Sequence, residues 1–213
     1  MAEHAIDAHA DQAQERIFAA GWFAVGFIPI CTVAAGVIGL APMHVLATIN
    51  VGGTLVVAAL LMARLPWEGA LAMRGLIHGI VAVFVYDAVA RWPFIGLGIM
   101  DDFIPRMGGA LIGKHSDWRV GYLWRYCGNG GGMGLAFTVV FAALRPRLRF
   151  GPLAAGVLFG VFVWACLMGT LWIAPHGQSM LFALTPTTFA ISLYGHLVYG
   201  AVLGLLFRRS ALA

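Results

Sequence analysis

Six stretches of this chain run for about 20 residues or more with scarcely a charge, the length that crosses a hydrocarbon core of roughly 30 Å as a helix. They read Ile17–Leu40, His44–Leu65, Gly69–Trp92, Val120–Leu144, Pro152–Ala174 and Pro186–Phe207. Pro66, Pro93, Pro146 and Pro175 stand at or just beyond span ends, where a ring that cannot continue a helix is expected. Thr185 is placed to cap the last span, with Pro186 at its first helical position. Inside lipid every backbone N–H and C=O must be satisfied within the protein, so only helices or a closed barrel can cross. Spans this long predict an all-α polytopic transmembrane bundle with six crossings.

Composition excludes the alternative of a soluble domain. Of the 213 residues, 61% are hydrophobic and 10% charged, against about 25% charged in a typical globular protein. Mean hydropathy is +0.88. The expected organisation is a polar cytoplasmic segment over 1–16, a six-span domain over 17–207 and a short cytoplasmic tail over 208–213. The first sixteen residues hold Glu3, Asp7, Asp11 and Glu15 against Arg16, the reverse of a basic signal-peptide start. The first span is therefore expected to stay attached.

Orientation follows from arginine placement. With the N-terminus inside, the inner connections and tail carry Arg64, Arg74, Arg145, Arg147, Arg149, Arg208 and Arg209, while the outer turns near Ala41–Pro42 and Pro175–Gly177 carry no Lys or Arg. That is a positive-inside pattern with both termini cytoplasmic. The pI near 9.3 is a product of this bias. The bases are not clustered, so no nucleic-acid partner is expected; the expected partner is the lipid bilayer.

One connection is long. Residues 93–119 interleave Asp101, Asp102, Arg106, Lys114, Asp117 and Arg119 with Phe94, Ile95, Leu97, Ile99, Met100, Phe103, Ile104 and Met107. An amphipathic segment in the outer interface, or folded back over the bundle, fits this pattern, and long connections often carry function.

Gly128, Gly130, Gly131, Gly132 and Gly134 crowd the fourth span, and Gly195, Gly200 and Gly204 line the sixth. Small residues let helix backbones approach in lipid, and the same faces are candidate surfaces for a homo-oligomer or larger membrane complex. A glycine run within a span can instead mark a broken helix that exposes backbone to a solute. No Lys-Ser/Thr follows the run, which argues against a phosphate loop. The fourth and sixth spans share a faint echo, NGGGMGLAF (Asn129–Phe137) and YGAVLGLLF (Tyr199–Phe207), of a kind that glycine-rich apolar sequence produces easily. Cys31, Cys127 and Cys166 are isolated in or beside apolar spans and are expected as free, buried thiols.

Polar groups inside a bilayer are costly and hence are the candidates for function. His78 lies about 12–14 Å from the inner face and His196 about 16 Å, at about 1.5 Å per residue. Tyr194 and Tyr199 flank His196. Two imidazoles at similar depth suit a proton or solute path, or axial ligation of haem b; the plainer role is a hydrogen bond to a backbone carbonyl. Toward the outer side, Asp87 and Arg91 are four apart on one helix, as are Arg125 and Asn129 on another, with Asp101, Asp102 and Arg106 beyond. This polar cluster suits either an anion-binding mouth or ion pairs anchoring the long segment, with arginines snorkelling outward. Asp101–Asp102 alone supplies too few oxygens for a metal, and no metal or catalytic site is expected. Asn50 and Thr54 are candidate interhelical hydrogen bonders, and Trp22, Trp92, Trp118, Trp124 and Trp172 lie toward span ends as aromatic belts do.

The segment GHLVYGAVLG (Gly195–Gly204) is similar to the final helix of rhomboid proteases, but GNGGGMG (Gly128–Gly134) contains no serine, and without a nucleophile there is no acyl-enzyme route. The last three spans resemble the YagU-like family of bacterial inner-membrane proteins, through FAALRPRLRFGPLAAGVLFG (Phe141–Gly160), GHLVYG (Gly195–Gly200) and the terminal Arg208–Arg209. The resemblance implies a bacterial inner-membrane location and a role in acid tolerance, with no reaction attached. The expected function is non-enzymatic handling of a small solute or protons through the bundle, with His78 and His196 along the path and Asp87, Arg125 and Asn129 at its mouth. The alternative is an accessory subunit of a respiratory or photosynthetic membrane complex, docked through its glycine faces and binding haem b.

Reporter fusions made after Arg147 and after Ala213 are expected on the same face of the membrane, with a reporter in 93–119 on the other. Opposite placement of the first two would rule out six crossings.

Overall fold

The computed structural model describes residues 2–174 and 176–210, with side chains over 17–174 and 176–209. In chain order the helices are α1 (Ala2–Ile38), α2 (Met43–Arg64), α3 (Pro66–Tyr86), α4 (Trp92–Gly96), α5 (Ile104–Leu111), α6 (Trp118–Leu123), α7 (Gly132–Leu144), α8 (Pro152–Ile173), α9 (Gly177–Met180) and α10 (Pro186–Ser210). Two π-helical segments, Asp87–Arg91 and Trp124–Gly131, join α3 to α4 and α6 to α7 without a break. Six spans result: Ile17–Ile38, Met43–Arg64, Pro66–Gly96, Trp118–Arg147, Pro152–Ile173 and Pro186–Arg209. The protein is an all-α, multi-pass integral membrane protein. Crossing six times brings Ile17 and Arg209 to one end of the bundle, termed proximal; the opposite end is distal.

Span four is the hub. Its apolar stretch is 61% buried, against 6% for α2, which lies at the periphery facing lipid. The hub is reached through glycine. Gly134 meets the backbone of Gly75 and Gly79 on α3, and Gly132 meets Gly26 on α1. A parallel seam joins Gly156 and Gly160 of α8 to Gly200, Gly204 and the His196 carbonyl of α10. A Cβ at Gly79, Gly134 or Gly156 would overlap backbone atoms of the partner helix. Without hydrophobic attraction between helices in lipid, such close approach supplies the dispersion contact that holds them. Asn50 of α2 adds one polar tie, its Nδ2 donating to Thr32 Oγ1 at 2.7 Å, whereas the hydroxyl of Thr54 finds no partner. Thr185 caps α10, accepting from the Thr188 N–H at 3.1 Å.

Four expectations from sequence are corrected. Span three does not stop at Pro93 but runs to Gly96. The π turn before it changes the hydrogen-bond register just where the proline lacks an N–H and its ring would otherwise crowd the preceding turn. The glycine run of span four is not broken, Gly128, Gly130 and Gly131 lying in the π-helix and Gly132 and Gly134 in α7. Trp22 is 2% exposed, turned into the bundle and not toward lipid as a belt residue would be. The three cysteines are free, as expected, yet all are exposed; lipid accepts a thiol as readily as a core does.

At the distal end the long connection folds inward. Gly98 and Gly113 take positive φ of 70° and 69°, letting the chain turn sharply on either side of α5. Ile104, Met107 and Leu111 are almost wholly buried and pack with Val37, Met43, Leu171, Leu181 and Phe182. Asp117 caps α6 through the Val120 N–H at 3.0 Å. At the proximal end, Phe137, Phe141, Leu203 and Phe207 fill the interior.

Replacing Gly134 by Leu forces overlap at the hub and is expected to cost about 2–3 kcal/mol, read as a lowered unfolding midpoint in detergent. Gly52→Ala, with nothing within 4 Å, is expected to leave the midpoint unchanged or slightly raised.

Candidate ligand-binding site

The site begins with the carboxylate of Asp87, which is fully buried. It accepts from Arg125 Nε at 2.8 and 3.0 Å and also from Arg125 Nη2. Tyr126 donates to it at 3.0 Å, and Arg91 Nη1 stands 3.3 Å away. Arg91, itself 2% exposed, turns its Nη2 to Asp102 of the long connection. Asp102 also accepts from the Tyr122 hydroxyl at 2.9 Å and the Ile104 N–H at 3.0 Å. Aromatic faces complete the packing: Arg91 lies 5.5 Å from the Tyr122 ring and Arg125 5.0 Å from the Tyr86 ring, distances at which a guanidinium is attracted to the ring. Two cations and two anions thus neutralise one another across span three, span four and the distal segment. A lone charge at such depth would be prohibitive, and pairing is what permits it, although Arg91 Nε and Nη1 make no hydrogen bond.

The π segments make this geometry available. Asp87–Arg91 fills the first, and both end residues are buried while Ala88 and Val89 between them face lipid. In the second, Gly130 packs on Val83 and Gly131 on Leu76 and Ile80, so a widened helix still fits its neighbours. Wide turns of this kind recur at functional sites. Tyr199 of α10 donates to the Gly130 carbonyl at 2.7 Å, satisfying an acceptor at the π-to-α junction.

Beside the cluster lies a cavity of about 440 Å³, within the range of sites for small organic molecules. Its walls are mostly apolar, including Phe23, Phe27, Met133 and Val163, and its distal roof is formed by Met100, Phe103, Met107 and Phe182. One end is polar, with Arg91, Arg125, Asn129, His196 and Tyr199. The exposed members of the lining are Phe23 and Cys31 on α1 and Phe162 and Cys166 on α8. The cavity therefore opens sideways, between α1 and α8, toward lipid.

Of the residues singled out from sequence, Asp87, Arg91, Arg125 and Asp102 meet in the ionic cluster. Asn129, His196 and Tyr199 line the cavity, and Asn129 Oδ1 is buried without a partner. His196 places Nδ1 2.7 Å from the Ser192 carbonyl, with its ring 5.4 Å from that of Tyr86. His78 stays outside the lining, half-buried on α3 with Nδ1 unpartnered. Asp101 is exposed. Arg106 turns from the carboxylates and donates to the carbonyls of Met180 and Leu181 at 3.0 and 3.1 Å, clamping the two distal connections together. Among the described residues no three His, Cys, Asp or Glu side chains gather as for a metal ion. Sequence reasoning missed Tyr86, Tyr122 and Tyr126. The spacing of the last two around Arg125 was the available signal, four apart on one helix face.

Asp87→Ala leaves Arg125 without its carboxylate and Arg91 with Asp102 alone, and is expected to cost about 3–5 kcal/mol, measured as a fall in the unfolding midpoint. Removing Arg125 as well is expected to cost less than the sum of the single changes. Asp101→Ala should lie within about 0.5 kcal/mol of the parent.

The chain matches no family model, no curated protein and no solved structure in comparisons with known proteins, so the reading of this site stands on its own residues.

Proposed function

We propose that this protein binds a small amphiphilic molecule taken from the bilayer through the gap between α1 and α8. The observation that carries the reading is one cavity with apolar walls, a polar end and a lateral mouth. Such a shape suits a molecule whose tail is at home in lipid and whose head seeks Arg125, Asn129 and His196. A conduit for protons or water-soluble solutes across the bundle has less behind it, since Phe137, Phe141 and Phe207 fill the space on the proximal side. The arginine bias of the proximal connections and the likeness of the last three spans to the YagU-like family support a place in a bacterial inner membrane.

A second reading, an accessory subunit of a larger membrane assembly, draws on α2. Its apolar stretch is only 6% buried, and Gly52 and Gly53 have open space above them. A stoichiometric partner that cross-links to α2 in native membranes would favour it.

Native mass spectrometry of the protein extracted in mild detergent is expected to show a one-to-one adduct with a membrane amphiphile. In Ala34→Trp, which fills the cavity from α1, the adduct is expected to disappear while the unfolding midpoint stays near that of the parent. Equal retention by a folded Ala34→Trp would overturn the reading.

A further inference from the structure

Building on the ligand cavity just proposed, we infer that its occupant is a lipid with an uncharged hydroxyl head, not a fatty-acid anion or a lipid with an anionic phosphate.

Charge balance is the first ground. Two guanidinium groups face the polar end, and each is matched to a carboxylate. Arg125 gives Nε and Nη2 to Asp87, and Arg91 gives Nη2 to Asp102. The four charges sum to zero. An incoming anion would have to pull an arginine from its carboxylate and leave that carboxylate unpaired, or sit as an extra charge among mostly apolar walls. A neutral head demands neither.

The hydrogen-bonding pattern is the second ground, and it is independent of the first. His196 places Nδ1 on the Ser192 carbonyl. A carbonyl only accepts, so Nδ1 holds the ring proton and Nε2 keeps a bare lone pair. That lone pair, with the unpartnered Oδ1 of Asn129, asks for a donor. The bonds to Asp87 leave Arg125 Nη1 free to donate to a ligand oxygen. Arg125 and His196 both rest on the ring of Tyr86, at 5.0 and 5.4 Å, so one small head spans both. A hydroxyl accepts and donates at once. A carboxylate, or the phosphodiester anion of a phospholipid, has no proton to give and meets the His196 lone pair with its own.

Oleyl alcohol and oleate share a chain and differ in the head, and native thiols report occupancy. Cys31 and Cys166 stand at the mouth of the cavity, while Cys127 is exposed outside it. Alkylation of the full-length protein by a maleimide in detergent at pH 7.5, followed by peptide mass spectrometry, gives three rates in one sample. Oleyl alcohol is expected to slow Cys31 and Cys166 at least tenfold relative to Cys127, and oleate at equal concentration to slow them less than twofold. His196→Phe, which keeps the ring and removes the acceptor, is expected to lose most of the protection by the alcohol. Protection by oleate equal to or better than that by the alcohol overturns neutrality and leaves the cavity reading standing. No protection by either likewise overturns the neutral-lipid assignment, and the adduct lost on filling the cavity then decides the broader reading separately. Full protection retained in His196→Phe overturns the role given to Nε2.

Discussion

A carboxylate with no access to solvent organises the distal half of this protein. Asp87 cannot remain charged in the interior of a bilayer protein unless cations and hydroxyls enclose it, and the fold supplies them from separate parts of the chain. Arg125 and Tyr126 come from span four and Arg91 from one turn further along its own helix. Arg91 in turn holds Asp102, and so draws the long connection into the bundle. Removing the central anion would therefore loosen a helix–helix contact and the roof of the cavity together.

Helix winding and glycine content serve this same arrangement. A π turn places one more residue in each loop of the helix. In span four the residues facing α3 at that point are glycines, so the wider helix approaches Val83, Ile80 and Gly79 without collision. The sparse side chains of the GNGGGMG run thus reconcile two demands, a close seam with α3 and the projection of Arg125 and Asn129 into the cavity.

How much of this the sequence displays depends on what lipid makes visible. The number of spans, their lengths and the cap at Thr185 are legible because hydrophobic thickness and backbone satisfaction leave few alternatives. Burial is not legible. In water an apolar residue such as Trp22 announces a core, but in a bilayer it is equally content outside, so Trp22 and the three cysteines fell on the wrong side of expectation. The polar candidates stand out by type and depth, whereas their pairing does not. Asp102 and Asp101 are neighbours in sequence, and only the fold directs one to Arg91 and leaves the other exposed. Arg106 bonds to carbonyls of a distant connection, acceptors that every residue carries and no pattern of side chains reveals. The two histidines, alike in composition and depth, are separated by which face of their helices meets the cavity.

Arg106 has a mechanical consequence. Its guanidinium grips the connection between the fifth and sixth spans, while Asp102, four residues earlier, grips span three through Arg91. The short stretch between them therefore works as a buckle joining the first half of the chain to the second over the roof. Both grips, together with the buried Ile104 and Met107 between and beside them, fasten the roof to the two halves at once.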